Sequence, residues 1–237
     1  MHTKLRFLFC RRLRLFLPVM VLLGMIVVTG CRESGVFLDS PVAGLTYSTT
    51  VRNQTITAQT NEDGMFFYKR GQAITFSIGT LVLGTAPGKS VITPLDLVSG
   101  ATGVSDQRVV NLCVLLQTLD QDGDLNNGIQ ITTAIANMVS AAGSINFDQT
   151  SKAFAADPAV KALLAALNAA LPVVFTDTDP RPRTLRGALA AQEHFVRSTS
   201  PRTVVMTKSG ALKGYAANDT TWQFLGIPYA KPPLGDL

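Results

Sequence analysis

The apolar residues of this chain change their repeat once, near Ser105, and that change limits the folds open to it. Upstream, the runs Thr55–Thr60 (TITAQT), Met65–Arg70 (MFFYKR), Ala73–Gly79 (AITFSIG) and Thr80–Gly84 (TLVLG) alternate or are continuously apolar. That is the period-two signature of strands. Downstream, Val109, Leu112, Cys113, Leu116 and Leu119 recur at the spacing that puts side chains on one face of a helix. Strands followed by helices predict a mixed α+β protein.

Within the strand block, Asn61-Glu62-Asp63-Gly64 separates two of the runs and has the Asp-Gly chemistry of a hairpin turn. Short strands with glycine at their joints predict a small antiparallel β-sandwich over residues 36–98. The run from Val42 to Gly84 resembles the transthyretin-like and carboxypeptidase-regulatory-like modules that precede catalytic domains in exported bacterial proteins.

The helical region spans 99–172. Ser105 or Asp106 can cap its first helix, and a second is expected near Thr132–Ala142. The third has Asp157 as N-cap, Pro158 at its first position, and an apolar stripe of Val160, Leu163, Leu164, Leu167 and Leu171 that ends before Pro172. Stripes of this kind are core, not cofactor sites. Residues 173–201, with TDTDPRPRT at 176–184, read as a solvated linker that can carry a polar-faced helix through Leu185–Val196. From 202 the pattern returns to strands: RTVVMT, ALKGYA and TTWQFLG, with turn residues between them, predict a three-stranded meander.

The N-terminus is read separately. Lys4, Arg6, Arg11, Arg12 and Arg14 precede an apolar run from Leu15 to Val28, which is the order of a secretory signal over residues 1–30. Val28-Thr29-Gly30-Cys31 resembles a bacterial lipobox, in which the cysteine is acylated and becomes the new N-terminus. That resemblance implies lipidation at Cys31, a short tether over 31–35, and an exported protein held at the membrane by acyl chains on the periplasmic or cell-surface side. An ordinary signal peptide or an uncleaved anchor is the plainer reading of the same residues.

Charge follows from this division. Taking the five basic residues of the signal from the chain's twenty-one leaves sixteen, against sixteen acidic residues. The net charge of +5 thus belongs to the signal, and nothing in the remainder has the clustered Lys/Arg that nucleic acid requires. Of three cysteines, Cys10 lies in the signal, Cys31 in the lipobox and Cys113 in an apolar helix, so no disulfide pair remains.

Two features bear on chemistry. Asp120, Asp122, Asp124 and Asn126 alternate in a glycine-containing loop, the oxygen spacing that wraps a hard cation such as calcium. The sixth position counted from Asp120 is Leu125 and the twelfth is Ile131, so the turning glycine and bidentate glutamate of an EF-hand are missing. A solvated interhelical turn is therefore the plainer reading of the loop, and no other cofactor is required. As for nucleophilic catalysis, the chain has no G-x-S-x-G, no Gly-Gly-Gly run, and only two histidines, His2 and His194. His194 reads as a surface residue of the linker helix.

The segment VVMTKSGALKGYAANDTTWQFLGIPYAKPPLGDL, residues 204–237, resembles the N-terminal edge of the type-B carboxylesterases, a family of α/β-hydrolases. That family opens with T-x-x-G-x-x-x-G and continues with F-x-G-I-P-Y-A-x-P-P-x-G. Thr207, Gly210 and Gly214 fit the first motif. Phe224, Gly226, Ile227, Pro228, Tyr229, Ala230, Pro232, Pro233 and Gly235 fit the second. The resemblance implies that these residues are structural, lying at the edge of a large sheet, and that ester hydrolysis through an acyl-serine belongs to a domain whose nucleophile, acid and histidine come later. The expectation is an N-terminal portion of a lipid-anchored carboxylesterase-type protein, its hydrolase domain over 202–237 truncated and inactive alone, with an ester substrate only for the intact parent. The rival expectation is a non-enzymatic surface lipoprotein whose sandwich binds a ligand or another protein.

Overall fold

The computed structural model describes residues 33–51, 53–170, 174–176, 182–200, 203–208, 210–218 and 221–223. Eight strands come first: β1 (Glu33–Phe37), β2 (Val42–Ala43), β3 (Thr46–Val51), β4 (Gln54–Gln59), β5 (Met65–Tyr68), β6 (Ala73–Ile78), β7 (Leu81–Pro87) and β8 (Val91–Ile92). The helices α1 (Pro94–Leu97) and α2 (Gln107–Thr118) follow, then the short strand β9 (Ile129–Gln130). After these come α3 (Thr133–Ala142), α4 (Ser151–Ala156), α5 (Pro158–Ala169) and α6 (Ala188–Thr199). The last described elements are β10 (Thr203–Thr207), β11 (Gly210–Asn218) and β12 (Thr221–Gln223). The chain is mixed α+β.

Two sheets face each other in the strand block. One is antiparallel with the order β4-β3-β6-β7, and the other has the order β5-β1-β8. Inward positions alternate along β6, where Ile74, Phe76 and Ile78 are fully buried, as a half-covered strand requires. Aromatic rings join the layers: Phe76 of β6 lies 4.9 Å from Phe37 of β1 and 5.2 Å from Phe66 of β5, and Tyr47 of β3 lies 5.9 Å from Phe66. Such tilted and edge-on contacts add about 0.5–1.5 kcal/mol each beyond area burial.

Within the two facing sheets the structure differs from the sequence reading in one strand's direction and in one turn. The smaller sheet is not wholly antiparallel, because β8 pairs with β1 in parallel. Asn61–Gly64 is also not a hairpin, since β4 pairs with β3 and β5 with β1, so this turn carries the chain from one sheet to the other. Its chemistry explains why it looked like a hairpin. The Asn61 side chain accepts from the backbone N–H groups of Asp63 and Met65, which is the Asx turn that Asn favours. Gly64 has φ +70°, and a Cβ there would sit 2.9 Å from the Phe37 carbonyl oxygen.

Helices cover the larger sheet and extend its core. α3 lies against β6 at the β6–β7 turn, where the Ser140 hydroxyl accepts from Thr80 N–H and donates to the Ala136 carbonyl. Asp106, Thr132, Thr150 and Asp157 each cap a helix through their side chains. One continuous hydrophobic cluster then runs from Phe37 and Phe76 through Leu112 and Leu116 to Phe154, Phe175 and Phe195. α2 lies inside it, with every residue from Val109 to Thr118 buried. α6 falls within the segment read as a linker and buries Ala191 and Phe195.

β9 has no counterpart in the sequence reading. It pairs in parallel with β2, Val42 opposite Ile129 and Ala43 opposite Gln130, and so ties the aspartate loop to the strand block. The expected meander is present: β10 pairs with β11 and β11 with β12, both antiparallel, with Gly210 opposite Thr207 and Gly214 opposite Thr203.

Gly79 provides a test of the helix-on-sheet contact. It has φ +56°, and a Cβ there would come 2.5 Å from the Ala136 carbonyl oxygen and closer still to the Ser140 hydroxyl. Gly79→Ala is expected to cost about 2 kcal/mol or more, read as a lower urea midpoint. An unchanged midpoint would show that α3 does not press on this turn.

Candidate functional site

Polar groups meet at two places in the described residues. The first is the turn Leu38–Pro41, which closes on itself through a single β-bridge. Asp39 in this turn is fully buried, and Gln117 of α2 donates to both its carboxyl oxygens at 3.0 Å while also bonding the Ala191 carbonyl of α6 at 3.0 Å. One amide therefore ties a turn of the strand block to two helices. Burial pushes the Asp39 carboxyl up to about 7, although the Gln117 amide, the Cys113 thiol and the Arg186 charge favour its ionised form. Burial, with Asp39 beside it, also raises the Cys113 thiol well above its ordinary value, which makes it an inert core thiol.

Ser40 follows in the same turn with φ +56°, a region that non-glycine residues enter at some cost. Its hydroxyl oxygen lies 3.0 Å from Nε2 of His194 and 2.9 Å from the Leu125 carbonyl. His194, read from sequence as a surface residue, is in fact half-buried against this turn. A serine has one proton and a carbonyl can only accept, so Ser40 donates to Leu125 and the imidazole donates to Ser40. An imidazole that gives its proton to the serine is not acting as that serine's base. Burial and the charges of Arg186 and Arg197 push His194 down to about 4, so it is neutral at physiological pH. With Ser40 itself buried, this is a structural joint and not a catalytic dyad.

The second place is the aspartate loop between α2 and β9. Asp120 is fully buried. One of its carboxyl oxygens accepts from Gln130 N–H at 2.8 Å, while Oδ2 is buried with no hydrogen-bond partner. Asp122 accepts from Asp124 N–H and from the Asn127 amide, and Asp124 accepts from Asn126 N–H and its side-chain amide. Behind the loop, Arg183 donates to the carbonyls of Thr118, Asp120 and Gln121, and its guanidinium stacks 3.8 Å from the Phe175 ring centroid. Asn168 of α5 holds the Arg183 backbone with two bonds of 2.8 Å.

Of the residues singled out from sequence, Asp120 and Asp122 are brought together, whereas Asp124 and Asn126 turn outward and are exposed. Among the described residues no group of three or more His, Cys, Asp or Glu side chains gathers as a metal cluster. No helix among them is long and apolar enough to cross a membrane. Gly210 and Gly214 lie in β11. Cys31, Phe224, Gly226, Ile227, Pro228, Tyr229, Ala230, Pro232, Pro233 and Gly235 lie outside the described residues. No family model, curated protein or solved structure matches the chain. The Asp39–Gln117–His194 joint was missed in the sequence. Its only signal there was Gln117, one of three polar residues, with Asn111 and Thr118, in the mainly apolar stretch Val109–Thr118.

Gln117→Ala leaves the Asp39 carboxyl buried without its donor, and is expected to destabilise the fold by about 3 kcal/mol, measured by chemical denaturation. A loss under about 0.5 kcal/mol would mean that the joint carries no weight.

The pH dependence has a defined sign. Asp39 rises from 3.8 to about 7, so its contribution to stability is complete below about pH 4 and is lost as pH rises towards 7. His194 falls from 6.5 to about 4, so its contribution is present above pH 6.5 and lost as pH falls through 4. Asp39→Asn removes only the first effect. Its stability relative to the unmodified protein should therefore climb by a few kcal/mol between about pH 4 and pH 7.5. A difference independent of pH would contradict the burial of an ionisable Asp39.

Proposed function

We propose that this chain is the accessory N-terminal region of an exported, lipid-anchored protein of the carboxylesterase type, in which residues 33–200 form a non-catalytic module that leads into an α/β-hydrolase edge. The observation that carries this reading is the motif T-x-x-G-x-x-x-G at Thr207, Gly210 and Gly214. It falls on the β10–β11 hairpin and is followed at family spacing by Phe224–Gly235. The lipobox-like Val28–Cys31 supports tethering through Cys31 outside the cytoplasm.

A serine esterase needs an exposed nucleophile, a base to deprotonate it and donors for the oxyanion. Neither G-x-S-x-G nor a glycine run is in the sequence, and the one serine–histidine contact among the described residues has its proton pointing the wrong way for attack. The module's role is to carry or orient the esterase chemistry, and it performs none itself. That role requires no cofactor, and calcium at the Asp120–Asn126 loop would serve the module's stability. No nucleic-acid partner follows from its balanced charge.

The 237-residue chain should give no turnover of a short-chain nitrophenyl ester above a heat-killed control, and turnover above that control would overturn the reading. In a bacterial host, labelled palmitate should enter the protein and be lost in Cys31→Ala. Equal labelling of both would remove the lipid anchor.

A further inference from the structure

The outward positions of the two sheets differ in chemistry. On the larger sheet Thr57, Ser48, Thr75 and Thr85 stand in one cross-strand row, a hydroxyl surface suited to water. On the β5-β1-β8 sheet the row Met65–Val36–Val91 is apolar, and Phe67 stands beside it opposite Ser34. Their neighbours along the strands, Phe66, Phe37 and Ile92, are fully buried, so by strand alternation Val36, Met65, Phe67 and Val91 point away from the core. Phe67 is 50% exposed and Val91 42%. Apolar side chains gathered on one outward face mark a surface that meets an apolar partner.

The place of this face in the chain selects the partner. β1, the central strand of the sheet, begins at Glu33, two residues after Cys31. At about 3.3–3.6 Å per residue, a chain acylated at Cys31 holds the start of β1 within about 7 Å of the acylated residue. That is about the depth of one headgroup layer, too short to lift the sheet clear of a bilayer. The same end of the sheet is basic. β5 runs antiparallel and β8 parallel to β1, so Lys69 and Arg70, just after β5, and Lys89, just before β8, flank the start of β1 from both sides. The two flanking turns adjoin, since a Cβ on Gly88 would lie 2.9 Å from the Lys69 carbonyl oxygen. Glu33 pairs with Arg70 at 3.4 Å and Asp96 with Lys89 at 2.6 Å, which leaves three cations against two carboxylates. The Arg70 and Lys89 side chains remain exposed, and such side chains lay their stems on apolar surface while the charged ends reach water or phosphate.

We infer that the outward face of the β5-β1-β8 sheet docks on the lipid surface to which Cys31 is tethered, with Phe67 and Val91 at the boundary between headgroups and acyl chains and Lys69, Arg70 and Lys89 at the headgroup phosphates. Acyl chains alone would leave the module free to swing, whereas apolar side chains and cations on one face add a second attachment and fix its orientation. The hydroxyl row of the larger sheet then faces away from the membrane. The inference rests on the Cys31 anchor proposed above for the closeness of the face to lipid, and on the sheet's own side chains for what touches it.

The test uses the full chain, expressed in a bacterial host and reconstituted into vesicles of phosphatidylethanolamine and phosphatidylglycerol, with and without brominated acyl chains. Trp222, the only tryptophan, is replaced by Phe. A reporter is then introduced by Phe67→Trp or, on the other sheet, by Val82→Trp at a position 58% exposed. Emission from the Phe67→Trp protein should shift to the blue in vesicles and be quenched several-fold by brominated lipid, while the Val82→Trp protein stays unquenched. Adding Val91→Asp to Phe67→Trp should relieve most of that quenching with Tm unchanged, because Val91 is exposed. Equal quenching at the two positions, or none at position 67, would overturn the inference. So would emission from Phe67→Trp that is already blue-shifted without vesicles and unchanged by them, since the chain itself or a second copy would then cover the face. Palmitate labelling reads the anchor separately: labelled protein without quenching at position 67 keeps the anchor and removes the docking, and unlabelled, unquenched protein removes both. Quenching that persists in Cys31→Ala keeps the docking and shows that it does not need the anchor.

Discussion

The structure depends on α2 being buried on every side from Val109 to Thr118. A helix in that position has no solvent face on which to leave polar groups, so each of its polar side chains must find a partner inside the protein. Gln117 finds Asp39 and the Ala191 carbonyl. Asn111 donates to the Phe147 and Gln149 carbonyls. Thr118 donates to the Val114 carbonyl and accepts from Arg186 N–H. Each bond draws a different outlying segment onto the same rod, which makes the strand block and the helices parts of one core.

The same constraint explains the segment around Arg183. The C-terminus of α2 presents carbonyls that have no partners within the helix, and the Arg183 fork supplies donors to that of Thr118 and to the Asp120 carbonyl just beyond the helix. A cation at this end is also favoured by the helix dipole. Tied by Asn168 on one side and Thr118 on the other, residues 183–186 deliver the chain to α6, which closes over the Asp39 turn and lies against β11. The joint at Asp39 therefore sits on the route from the strand block to the β10–β12 meander.

Much of this was legible in the sequence where the signal is local. Period-two and period-3.6 patterns located most of the strands and helices, and Asp106, Thr132 and Asp157 cap helices where local chemistry puts caps. The pairing partners were less legible. Asn61–Gly64 has hairpin residues because Asn and Gly stabilise tight turns of several kinds, and no local feature says whether the flanking strands pair with each other. β9 is two residues long and exists only through its match to β2. Asp39, Ser40 and His194 are far apart in sequence and belong to no motif. Only the polarity of Asn111 and Gln117 inside an apolar stretch hinted that α2 required distant partners.

The central claim is that α2 makes the strand block and helices a single cooperative unit, and native-state hydrogen exchange measures this directly. If it is right, amides of α2 (Val109–Thr118), of β6 and of α6 should share one opening free energy and respond equally to added denaturant. Amides of β3 and β6 that stay protected while those of α2 and α6 exchange would show that the sandwich stands alone, and would contradict the account.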